Sequence, residues 1–409
     1  MHNISAGDTA FVLICSALVM FMTPGLALFY GGMVRSKNVM GTIMQSFFMV
    51  GVVSVLWALI GYSLAFGPDK WHVIGGLEWI GLNHVGQEPN KDYAATVPHL
   101  AFMVFQCMFA VITPALITGA FAERMKFRGF LAFTVLWLLL VYCPVAHWVW
   151  GVGGWIRNLG ALDFAGGTVV HINSGIAALA AAMLIGHRRG YRKEPFVPHN
   201  LTLTLLGAAM LWFGWFGFNA GSALGSGGLA ASAFVVTNLG AAAAMISWVV
   251  AEWVHRGTPT TLGAASGSVA GLVAITPASG FVGPMAALAI GVVAGAVCYA
   301  GVLAKSRLGY DDALDVVGVH GVGGTVGALL TGLFASVAVN AAGANGLFFG
   351  HPVQLAIQSL AVLATIVYSF GMSFGLLKLV AATVGLRVSR DNEDTGLDLS
   401  EHSETGYAF

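Results

Sequence analysis

Apolar runs of about bilayer-crossing length follow one another through nearly all of this chain, and no other feature constrains its fold so strongly. A hydrocarbon core needs about 20 predominantly apolar helical residues, and there every backbone N–H and C=O must be satisfied within the spanning structure. Between clusters of charge and turn residues, the runs lie near 9–33, 40–66, 99–121, 129–150, 168–186, 201–220, 230–254, 261–277, 284–304, 316–338 and 353–385. They predict an all-α polytopic membrane protein with eleven transmembrane helices. Only 9% of residues are charged and 57% are hydrophobic, which excludes an ordinary soluble domain. The formal net charge is zero, and no basic patch argues for nucleic acid.

An odd number of crossings places the termini on opposite sides, and the Lys/Arg census orients them. Arg35, Lys37, Arg124, Lys126, Arg128, Arg188, Arg189, Arg192, Lys193, Arg256, Lys305, Arg307, Lys378, Arg387 and Arg390 fall on one side; only Lys70, Lys91 and Arg157 fall on the other. The reading puts the N-terminus outside and the C-terminus in the cytoplasm of a plasma (inner) membrane. The first residues, Met-His-Asn-Ile-Ser-Ala-Gly-Asp, lack the basic region of a signal peptide, so the first helix is expected to be retained. Cys15, Cys107, Cys143 and Cys298 sit one by one in separate apolar runs, as packing residues rather than disulfides or metal ligands. Neither a metal nor another cofactor is expected.

Within the fifth run lies His171, in Asp163-Phe-Ala-Gly-Gly-Thr-Val-Val-His171. An ionisable group at membrane depth is costly and marks either a functional path or a helix–helix hydrogen bond. The tenth run holds Asp315-Val-Val-Gly-Val-His320-Gly-Val-Gly-Gly-Thr-Val, again an Asp, a His and a Gly-Gly-Thr-Val, about 150 residues on. Five helices before residue 190 and five between 200 and 340 have opposite orientations, which reads as a 5+5 inverted repeat plus one extra helix. Small-xxx-small pairs such as Gly217/Gly221, Gly267/Gly271 and Gly291/Gly295 suit close helix packing. The loop 67–98 reads as a structured cap. Residues 1–385 form the expected transmembrane domain. The hydrophilic tail 386–409 would, on composition alone, be solvated and partly disordered.

Aromatic residues gather at Trp148-Val-Trp150 and at Trp212-Phe-Gly-Trp215-Phe-Gly-Phe218, near Ser222, with Phe105 and Phe109 in the third run. They fit either an interfacial belt or a cage for a small cation. With Pro24-Gly-Leu26-Ala-Leu-Phe29-Tyr30-Gly-Gly, Gly119-Ala-Phe-Ala-Glu-Arg, the two histidine stretches and the tail's Gly396-Leu-Asp, nearly the whole chain resembles the ammonium transporter/Rhesus family, in its microbial ammonium transporter branch. The resemblance implies a homotrimer in the lipid bilayer with one pore per subunit. It implies an ammonium recruitment site at Trp150, Phe109 and Ser222 with the Asp163 carboxylate near it, a phenyl gate of Phe109 and Phe218, and a pore histidine pair, His171 and His320. Trp215, Leu26, Val316, Phe105, Phe29 and Tyr30 are implied in the pore wall. The tail resembles a docking segment for PII-type nitrogen-signalling proteins, departing from the family's His-Gly-Glu at His402-Ser403-Glu404.

Chemistry selects among mechanisms. Burying a bare ion in low dielectric costs tens of kcal/mol in the idealised limit, whereas a cation–π contact returns about 0.5–2 kcal/mol. Aromatics could therefore recruit ammonium (or methylammonium) but not carry it through an apolar tube. Losing a proton first leaves neutral ammonia, and imidazole, both donor and acceptor with an unperturbed pKa of about 6.5, can take up and pass on that proton. The expected function is ammonium uptake, with passive ammonia conduction and an ammonium sensor as alternatives. No nucleophile, metal set or carboxylate pair suggests an enzyme, and no catalytic residue is assigned.

Overall fold

The computed structural model describes residues 4–407. Among these, ten helices are long and apolar enough to cross a membrane: α1 Ala6–Met33, α2 Ser36–Phe66, α3 His99–Phe121, α4 Phe127–Asn158, α5 Gly167–Ile185, α6 Leu201–Gly221, α7 Gly228–Arg256, α9 Pro284–Leu308, α10 Val317–Phe334 and α11 Val353–Thr383. The eleventh expected run is a helix too, α8 at Thr261–Ile275, but its 15 residues are fewer than a full crossing needs. It stops where Thr276 and Pro277 lead into a turn, two residues short of the expected end. Its start is set by Thr260, whose side chain accepts the Gly263 N–H at 2.8 Å.

Glycine decides which helices lie side by side. A Cβ on Gly207 of α6 would stand 2.5 Å from Gly25 O and 2.7 Å from Phe29 Cα, and one on Gly217 would stand 2.6 Å from Leu18 Cβ, so α1 and α6 pack backbone to backbone. The other two small-residue pairs settle on α7. Gly271 approaches Gly240 O to 2.6 Å, and Gly295 approaches Trp248 N to 2.8 Å, both measured from the Cβ they lack.

On the face opposite the basic loops, residues 67–98 form an ordered cap around a short hairpin, Asp69–Lys70 against Ile74–Gly75. His147 Nε2 lies 2.9 Å from Asp69 Oδ1, and Trp148 Nε1 donates to Val73 O at 2.8 Å, which fastens the cap to α4. Cys15, Cys107, Cys143 and Cys298 are free and buried in the bundle.

The tail departs from what its composition suggests. It folds into α12, Arg390–Thr395, and α13, Leu397–His402, laid on the basic face. Folding is favoured because the tail supplies partners that helix ends lack. Asp398 Oδ1 accepts the Gly41 N–H at 2.8 Å, Glu401 Oε2 the Phe127 N–H at 3.0 Å, and Glu393 Oε1 the Arg189 N–H at 2.7 Å. In the other direction Arg387 donates to the Ile185 and His187 carbonyls at 3.0 and 2.6 Å. Ser403 closes α13 at φ 54°, a left-handed position that glycine fills without steric cost and that a serine adopts only with some strain.

Candidate functional site

Two polar anchors set the histidines. Asp163 turns its carboxylate onto the start of α5: Oδ1 accepts the N–H groups of Gly166 and Gly167 at 2.8 and 2.6 Å, and Oδ2 accepts Thr168 N–H at 2.8 Å together with the Thr168 hydroxyl. The carboxylate expected beside the vestibule is thus committed to a helix terminus, and the Asp163 carbonyl accepts Trp150 Nε1–H at 2.9 Å. Asp312 plays the matching part for α10, with Oδ2 accepting Val317 N–H at 2.7 Å. The spacing is the same, since 171 − 163 = 8 and 320 − 312 = 8. The Asp paired with Asp163 is therefore Asp312 and not Asp315, which instead makes an ion pair with Lys305. Burial pushes the Asp312 carboxyl up to about 6.

Each histidine sits in a wide helical turn. His171 N–H reaches back to Gly166 O at 3.0 Å, five residues earlier, and the Val317–Gly321 stretch that carries His320 is wound the same way. The two helices cross on glycine, a Cβ on Gly324 lying 2.9 Å from His171 Cβ and one on Gly175 lying 2.9 Å from His320 C. The rings consequently meet, nearly parallel at 26°, with centroids 5.3 Å apart and the two Nδ1 atoms at 3.3 Å. Facing nitrogens can share one proton, one Nδ1 donating and the other accepting. His171 Nε2 is buried without a partner.

These rings stand midway along a line of cavities. A vestibule of about 460 Å³ opens on the face opposite the basic loops, with Phe109, Trp150 and Ser222 in its wall. Phe109 packs against Phe218 at 4.3 Å between centroids, tilted by 32°, and meets Trp150 edge-on at 5.7 Å. Ser222 Oγ donates to Phe218 O at 2.8 Å. Beyond the phenyl pair lies a narrow apolar space lined by Leu26, Phe29, Trp215, Phe218, His171 and His320. It leaves about 10 Å³ for the centre of a water-sized molecule, roughly what a single water requires. Trp215 lies on His171 at 5.3 Å and 21°, its Nε1–H donated to Thr276 Oγ1 at 2.8 Å. On the basic side, a further space of about 30 Å³ is bounded by His320, Phe29, Tyr30 and Asp315.

Two expected wall residues stand back from these cavities. Phe105 is wedged behind Phe109, 5.0 Å between centroids, in the space that Gly221 leaves open. Val316 fills the corresponding gap beside Gly119 and Tyr30. Other residues at the vestibule escaped the sequence reading: Asp92 and Tyr93 from the cap, Arg157, and Gln106, whose Oε1 is buried without a partner. Gln106 alone carried a signal, as a lone amide within the apolar third run.

The basic face is held by buried charge. Glu123 accepts Arg35 Nε–H at 3.0 Å and Asn38 Nδ2–H at 3.1 Å and pairs with Arg188 at 3.3 Å. Burial raises its carboxyl, but Arg35 and Arg188 outweigh that and bring it below the usual range. Burial likewise disfavours the Arg188 cation, yet Asp311, bonded to it at 2.8 Å, more than compensates.

The description "Ammonium Transporter Family" belongs to the family model that matches residues 10–407. An ammonium transporter of Bacillus subtilis (strain 168) is 55% identical over 402 residues, 98% of each chain. The crystal structure of Candida albicans Mep2 matches with a TM-score of 0.91 at 36% identity, covering 95% of this chain and 88% of that one. A structure described as a sensor Amt protein matches with a TM-score of 0.88 at 30% identity, covering 97% and 98%.

Proposed function

Because the chain belongs to the ammonium transporter family, we propose that it takes up ammonium by recruiting the cation in the vestibule, removing its proton, and passing ammonia and proton separately along the histidine pair. The observation that carries this reading is the succession of vestibule, packed phenyl pair and His171–His320, the last around a space with room for about one water. A cation would lose its hydration there with no fixed charge to replace it, whereas ammonia would not. Trp150 and Phe109 offer ring faces to a cation, and the Ser222 oxygen offers an acceptor. Potassium has no proton to give up, so selectivity would rest on deprotonation rather than on size.

The same reading takes α8 as the eleventh crossing, the N-terminus outside, the basic face in the cytoplasm of the plasma membrane, and the halves as inverted repeats. The matched capping of α5 and α10 by Asp163 and Asp312 supports the last of these. We take the protein to be a homotrimer whose tail docks a PII-type signalling protein on the cytoplasmic face. The deciding experiment is an ammonium pulse on proteoliposomes: a current supports charge-coupled transport, while ammonia flux without current would replace it by passive conduction.

Trp150→Leu removes a cation–π contact of about 0.5–2 kcal/mol, so half-saturation for ammonium and for competing methylammonium should rise roughly two- to thirtyfold while potassium stays excluded. Unchanged half-saturation would remove Trp150 from the recruitment site.

A further inference from the structure

Three charged residues belong to the vestibule wall, Asp92, Arg157 and Asp163. The Asp163 carboxylate keeps its charge but is turned onto the start of α5, where the helix N-terminus offsets about half of it, which leaves Asp92 and Arg157, opposite in sign, as the exposed charges. Arg157 is nonetheless fixed in place. Its Nη1 donates to the Trp150 carbonyl at 2.5 Å, and its guanidinium carbon lies 6.0 Å from the centroid of the Tyr93 ring. Tyr93 is itself tied down, its hydroxyl donating to Phe66 O at 2.7 Å and accepting Val152 N–H at 3.1 Å. A resident cation therefore occupies one aromatic face of the vestibule and is bonded to the very residue whose indole lines the recruitment site.

We propose that Arg157 makes the vestibule a valence filter, offsetting its carboxylate charge so that divalent cations do not gather there while ammonium is still admitted; this rests on the recruitment reading of Trp150 above. Repulsion from a fixed positive charge scales with the charge of the arriving ion. For a separation on the order of 8 Å in water-like dielectric, Coulomb's law gives roughly a two- to threefold lower occupancy for a monovalent ion. Twice the charge squares the factor, to about four- to ninefold for a divalent ion. Ammonium offsets its share by ring and N–H contacts that a hydrated divalent ion does not make. Without Arg157 the vestibule would keep only carboxylate charge, Asp92 with the partly offset Asp163 behind it, and would gather cations by valence.

Arg157→Gln tests this, since the amide can still donate toward the Trp150 carbonyl without carrying charge. In proteoliposomes at low ionic strength, its ammonium half-saturation should fall about two- to threefold, and the gain should fade as screening sets in above about 0.1 M salt. Magnesium at matched ionic strength should compete with ammonium in R157Q and not in the wild type, and Arg157→Lys should restore the indifference to magnesium. A purely structural role would lower the R157Q current without creating magnesium competition. In detergent, Mn²⁺ binding read by electron paramagnetic resonance should strengthen about four- to ninefold in R157Q. Ammonium current with no Mn²⁺ gain and no magnesium competition would overturn the filter. The Mn²⁺ gain in a protein whose wild type carries no ammonium would uphold it and overturn the transport reading instead.

Discussion

Replacing His171 or His320 by leucine is expected to leave an assembled protein whose ammonium-dependent current falls at least about a hundredfold, the lower end of what a positioned proton-transfer group contributes. Assembly should survive because α5 and α10 are held together by the close approach of Gly175 and Gly324, which the substitution does not touch. The bond lost between the rings is worth on the order of 0.6 kcal/mol in a membrane setting. Leucine has similar bulk but no lone pair and no N–H, so the shared-proton arrangement at 3.3 Å disappears. His171→Asp separates a relay from a spacer. An acidic group can still accept a proton, so partial current should persist, but its negative charge would steady any small cation and admit potassium. Ammonium and potassium currents from the three variants, in protein confirmed intact, decide the matter. Full selective current in both leucine variants would leave the histidines as helix packing and nothing more.

Removing residues 386–409 is expected to lower the melting temperature by several degrees as well as to abolish binding of a PII-type partner. The loss of stability follows from the caps. The N–H groups of Gly41, Phe127 and Arg189 lose Asp398, Glu401 and Glu393, Lys126 N–H loses Leu386 O at 2.9 Å, and the Ile185 and His187 carbonyls lose Arg387. Water would replace those partners, so each bond costs about 0.5–1.5 kcal/mol rather than a full desolvation penalty. Cutting instead after Glu404 spares all of them and should leave the melt close to that of the full chain. Thermal unfolding in detergent together with a pull-down reads both effects. Equal melting of the full-length and 386–409-deleted proteins would show that the caps add no stability, and equal pull-down would end the docking role.

The apolar runs and both histidines were legible because lipid demands long uniform helices, and a polar residue inside one stands out. Depth and facing were less so. Phe105 and Phe109 lie four apart on one helix stripe, and spacing alone could not say that the second meets the vestibule while the first packs behind it. Asp315 draws the sequence reading because it directly precedes the apolar stretch, although the eight-residue spacing to the histidine already marks Asp312, as its hydrogen bond to Val317 shows. Arg157 lies in the last turn of α4 and Tyr93 in the cap, and only tertiary contacts bring them together. The tail's order likewise depends on acceptors and donors supplied by distant helix ends, which local composition does not reveal.

That all four native thiols are buried and unpaired has a practical meaning for orientation. A maleimide that cannot cross membranes should find nothing to react with on the folded protein, so a single new cysteine can be read against a silent background with no native cysteine replaced. Lys91 and Lys193 are both exposed, on opposite faces, and suit such a reporter. In intact cells Lys91→Cys should label at once and Lys193→Cys only after permeabilisation; the reverse order would turn the molecule over in its membrane.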